Sequence, residues 1–78
     1  MLAIEVKFLG PTNNKGSRYK AFAYGRESAT ISADYSLDSH ENARLAAEAL
    51  LLKNGIESKI TGFGWLPNGN AAFTFTKI

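Results

Sequence analysis

Residues 38–55 read DSHENARLAAEALLLKNG, the one stretch of the chain with a clear helical period. Asp38 stands three residues before Glu41, which is an N-cap pattern, with Ser39 as the alternative cap; Asn54-Gly55 supplies the stop. At helical spacing Ala43, Ala46, Ala47, Leu50 and Leu51 form one stripe. The pattern predicts a single helix over residues 39–54. Its small-residue face needs a flat surface to lie on.

The flanking sequence supplies one. In LAIEVKFL, residues 2–9, Leu2, Ile4, Val6 and Phe8 alternate with Ala3, Glu5 and Lys7, the period of a half-buried strand. Gly10-Pro11 ends it. SRYKAFAY, residues 17–24, predicts a second strand with Tyr19, Ala21 and Ala23 on one face and Arg18, Lys20, Phe22 and Tyr24 on the other. Gly25-Arg26-Glu27 connects it to a third, SATISADY, residues 28–35, with Ala29, Ile31, Ala33 and Tyr35 facing inward. The alanines at 21, 23, 29 and 33 leave room for the helix to cross this face.

After the helix, KITGFGW and AAFTFTK predict two strands joined by LPNGN, whose Pro67-Asn68-Gly69 is a strong turn signal. Phe73 and Phe75 face the core. Gly62 and Gly64 invite a bulge, which leaves the face of Phe63 and Trp65 open. The fold class is α+β: β-β-β-α-β-β, a mainly antiparallel five-stranded sheet with one helix packed on one face. The last strand is expected antiparallel beside the first. Residues 1–78 form a single domain of modest stability margin.

There is no cysteine and one histidine, so neither a disulfide nor a structural zinc site is expected, and no cofactor is implied. No segment reads as a membrane span or a signal peptide, and the chain is expected to be soluble and cytoplasmic. His40 is not expected to be catalytic: it enters the helix with Asp38 and Glu41 nearby, but no nucleophile is spaced to use it. GPTNNKGS lacks the spacing and the following helix of a phosphate-binding P-loop.

Charge is distributed unevenly. Through residue 26 five basic residues face one acidic residue; from residue 27 onward four basic face six acidic. The segment GPTNNKGSRYKAFAYGR, residues 10–26, concentrates the excess. Lys15, Arg18, Lys20, Phe22, Tyr24 and Arg26 are therefore candidate partner-binding residues. Cations beside aromatic rings suit single-stranded nucleic acid, and the same mixture suits a protein interface or a plain solvated strand. Leu45, Ala49 and Leu52 lie roughly opposite the helix's core stripe. They are a candidate strip for a weak homodimer or a partner.

The motif G-P-T-x-x-x-x-G-S-R-x-K-A, matched at Gly10, Pro11, Thr12, Gly16, Ser17, Arg18, Lys20 and Ala21, resembles small uncharacterised proteins of phages and other mobile elements. DYSL, the ENARLAAEALL helix and the terminal aromatic strand extend the similarity over most of the chain. The chain departs where that group often shows a tryptophan after the glycine closing the helix, since Gly55 is followed by Ile56. The resemblance implies a non-enzymatic inhibitor or accessory factor that binds a host nucleic-acid-handling protein or nucleoprotein complex, such as a CRISPR-type effector. The alternative is direct binding of single-stranded nucleic acid by the basic–aromatic strand face.

Overall fold

Alternation and capping translate into five strands and one helix: β1 (Leu2–Leu9), β2 (Arg18–Phe22), β3 (Ala29–Ser32), α1 (Ser39–Lys53), β4 (Ser58–Trp65) and β5 (Ala71–Lys77). The structure, a computed structural model, describes residues 2–11, 13 and 16–77. The sheet runs β3-β2-β1-β5-β4, and all four neighbouring pairs are antiparallel. The last strand does lie beside the first. Val6 stands opposite Ala21 and Ala71, and Ile4 opposite Phe73, so one sheet face collects the apolar row.

Helix α1 covers that face. Ala43, Ala46, Ala47, Leu50 and Leu51 are all buried against Ile4, Val6, Ala21, Ala29 and Phe73. Asp38 is the N-cap: its Oδ1 accepts from the Glu41 backbone N–H at 2.8 Å. At the other end Gly55, at φ 66°, lets its own N–H reach Leu52 and the Ile56 N–H reach Leu51, the double closure of a Schellman motif.

Two asparagines fix where the helix sits. Buried Asn42 accepts from Asp34 N–H at 2.8 Å, and its amide donates to the Asp34, Leu37 and Asp38 carbonyls. Asn54 pairs with Glu27 through both its amide oxygen and its amide nitrogen, each at 3.0 Å. Lys53 adds a bond to the Ser28 carbonyl at 2.8 Å. These ties draw α1 over the β1–β3 half of the sheet. The β4 side is left less covered.

Several boundaries differ from the alternation pattern, and each has a local cause. β2 stops at Phe22, because the Arg26 N–H closes a turn onto the Ala23 carbonyl with Gly25 at φ 73°. Tyr24 is therefore a turn residue. β3 stops at Ser32, and Tyr35, expected inward, is 82% exposed. There the Asp34 carboxylate takes Ser36 N–H at 2.9 Å and Ser36 Oγ at 2.6 Å, and Leu37 N–H bonds the Asp34 carbonyl. Such an Asx turn outcompetes continuation of the strand. Phe8 is half exposed and meets Tyr19 edge-on at 5.2 Å.

The bulge falls between Ile60 and Gly62. It spends one residue, so Ile60 opposite Phe75 and Phe63 opposite Phe73 both come to the helix side. Trp65, opposite Ala71, follows them. Gly62 has little room for a side chain: a Cβ there would sit 2.6 Å from Thr74 Oγ1.

Candidate functional site

Among the described residues no element covers the sheet face away from the helix. Since Ile4 and Val6 point to α1, Glu5 and Lys7 point to the uncovered face; in β2, Arg18, Lys20 and Phe22 do the same. The register then sets the neighbours. Lys7 stands opposite Lys20, Lys20 opposite Thr30, and Arg18 opposite Ser32. Lys7 and Lys20 are exposed, and among the described residues the ion pair present is Arg44–Glu48 on the helix.

Glu5 is the acidic side chain on this face, and it is engaged elsewhere. Its Oε2 accepts from Asn70 Nδ2 at 2.6 Å and from Asn68 Nδ2 at 3.4 Å, both in the β4–β5 connection. The carboxylate's hydrogen bonds go to that connection, and no Glu5–Lys7 ion pair is present among the described residues. The result is a basic row across β1 and β2 with hydroxyls on its β3 side.

Toward the other end of the same face lies a mostly apolar hollow of about 550 Å³, walled by Ala3, Phe22, Tyr24, Leu66 and Ala72, with Glu5 as its one charged wall residue. Phe22 is half-buried; Tyr24 projects wholly into solvent. The face is thus divided into a cationic part and an apolar, aromatic part. A polyanion bearing planar rings matches both.

The candidate residues of residues 10–26 are not all brought together. Arg18, Lys20 and Phe22 share the sheet face, Tyr24 borders the hollow from its turn, and Arg26 is exposed in the same turn. Lys15 lies outside the described residues. Sequence reading missed Lys7 as a member of the basic row, since its membership depends on the β1–β2 pairing. The asparagine amides that occupy Glu5 also lie more than sixty positions away in the chain.

The second candidate surface lies on the helix side. Leu45 is 43% exposed and Leu52 84%, whereas Ala49 is half-buried against the core. With Ile56 they line a groove of about 420 Å³ beside β4. Phe63 and Trp65 extend the apolar surface along that strand, 40% and 56% exposed, meeting edge-on at 5.1 Å. β4 is also a free sheet edge of eight residues.

His40 packs its ring on Phe63, centroids 4.1 Å apart, and lies parallel to Phe73 at 6.1 Å. Its surroundings are aromatic, so it acts as part of the wall over Phe73. Among the described residues no three of His, Asp and Glu converge as a metal site would require, and no helix is long and apolar enough to cross a membrane. Compared with family models, curated proteins and solved structures, the chain matches none.

Proposed function

We propose that the chain is a non-enzymatic, cytoplasmic binding protein whose uncovered sheet face holds single-stranded nucleic acid. The observation that carries this reading is the Lys7–Lys20 pair, two exposed cations set directly opposite one another without an anion among the described residues. Like charges facing across a sheet cost stability. A phosphate backbone removes that repulsion on binding and releases its own counterions. The hollow beside Phe22 and Tyr24 gives unpaired bases a surface to stack on.

The role of an inhibitor or accessory factor of nucleic-acid-handling machinery, expected from the motif at residues 10–21, is compatible with this reading. A cleft that handles nucleic acid is itself basic and repels a basic face. The protein therefore meets such a nucleoprotein complex at its exposed strand. Fluorescence anisotropy with a short labelled oligothymidylate tests this. Wild type binds it, and a folded Lys7→Glu/Lys20→Glu variant does not; equal binding by both removes the proposal.

A second surface favours a weak homodimer. Leu45, Leu52, Phe63 and Trp65 together expose on the order of 400 Å² of side chain, about half of what one side of a stable interface buries. A second copy fits because β4 presents a free edge and carries only one charge, Lys59 near its start. In an antiparallel self-pairing the two lysines fall at opposite ends and do not repel.

A further inference from the structure

Beyond the basic row, at the β2–β3 end of the uncovered face, lies a second hollow of about 660 Å³ that includes Arg18, Thr30, Ser32 and Tyr35 in its walls. We propose that it seats one nucleotide of the bound strand, with the phosphate on Arg18 and Ser32 and the base on the Tyr35 ring. The inference rests on the single-strand reading above and deepens it to a defined subsite.

Three observations support it. First, Arg18 Nε is shut off from solvent and has no hydrogen-bond partner among the described residues. A buried donor left unmade is costly, and a guanidinium is the side chain best shaped to grip phosphate through two parallel bonds. A phosphate oxygen is the acceptor this donor lacks, reached when the side chain swings to present its Nε–Nη edge. Ser32 lies directly opposite Arg18 in the ladder and adds a hydroxyl donor.

Second, Tyr35 combines an exposed ring with a fixed backbone. Its turn is closed by the Leu37 N–H on the Asp34 carbonyl, and Asn42 holds both the N–H and the carbonyl of Asp34 from the helix. An aromatic ring carried on a secured turn loses little freedom when a base stacks on it. Third, the floor is pinned as well. The Ala33 N–H bonds the Ser17 carbonyl at 2.9 Å, tying the entrance of β2 to the exit of β3.

The carboxylate closest in sequence, Asp34, is occupied by Ser36 through both its backbone N–H and its hydroxyl. That carboxylate stays ionised, held below the ordinary aspartate value by those bonds, but it is not one of the hollow's walls, where the charged side chain is that of Arg18.

The test is an NMR titration with oligothymidylate, read alongside anisotropy of the same probe. Binding should move the Arg18 Nε–Hε resonance and the Tyr35 ring protons together. Tyr35→Ser should weaken binding about five- to thirty-fold, with Tyr35→Phe close to wild type. Arg18→Lys, which keeps the charge and loses the fork, should weaken it as well. If oligothymidylate binds, Lys7→Glu/Lys20→Glu abolishes it, and Tyr35→Ser leaves affinity unchanged, the subsite is overturned while the wider face stands. If wild type does not bind the probe at all, both fall.

Discussion

Lys7 of β1 and Lys20 of β2 face each other across the uncovered side of the sheet, and the nearest acidic group on that face, Glu5, is taken up by Asn68 and Asn70. A fold selected for stability alone gains by placing opposite charges there. The arrangement therefore separates what is good for folding from what is good for binding, and that separation can be measured.

Lys7→Glu converts the repulsive pair into an attractive one. The variant should be more stable than wild type by about 0.2–1 kcal/mol in urea denaturation, and should bind oligothymidylate far more weakly. A variant that loses stability and binding together would mean that Lys7 serves the fold instead.

Asn42 anchors the turn carrying Tyr35. Asn42→Leu replaces the amide with an apolar side chain of similar size and leaves the Asp34 N–H and nearby carbonyls without their partner. We expect a loss of about 2–3 kcal/mol in the denaturation midpoint analysis, on the scale of one or two unmet buried groups. A loss below half of that would show the turn to be held by its own bonds.

Fold and site were not equally legible in the sequence. The helix was readable because its signals are local: Asp38 and Gly55 bracket it, and the alanine–leucine stripe falls at one period. β1 and β5 were readable for the same reason, their alternation being uninterrupted. Tyr24 and Tyr35 were misplaced because a three-residue bond at Arg26 and an Asx turn at Asp34 stop strands that alternation alone would continue. The side of Phe63 and Trp65 turned on one inserted residue in β4, whose position only the pairing with β5 reveals. The candidate basic face was half visible. Arg18 and Lys20 lie two apart in one strand, but Lys7 joins them through register and Glu5 is withdrawn by residues of a distant hairpin.

The Asp34 carboxyl is held below its ordinary value, first by the Ser36 hydroxyl and then by the Ser36 backbone N–H, against a small opposing effect of desolvation. A depressed folded value means that Asp34 contributes stability above the ordinary aspartate value of about 3.9, and that this contribution fades as pH falls through the folded value. Ser36→Ala should raise the Asp34 pKa in a carboxyl NMR titration. An unchanged value would assign the effect to the backbone bond alone.

Sedimentation across concentration addresses the helix-side surface. Wild type should show a reversible monomer–dimer equilibrium, and Leu52→Glu/Trp65→Glu should remain monomeric with an unaltered fold, because both side chains are more than half exposed. A wild type that stays monomeric well above micromolar concentration removes the homodimer.

The most direct test of the central claim is the salt dependence of oligothymidylate binding. Three cations on the face, Lys7, Arg18 and Lys20, displace counterions from a single strand at about 0.7 per contact, so log affinity should fall against log salt with a slope of about −2. Removing Lys20 as Lys20→Ala should shallow that slope by roughly 0.7. Binding that is indifferent to salt, or a slope that Lys20→Ala leaves unchanged, would contradict the assignment of the uncovered sheet face to nucleic acid.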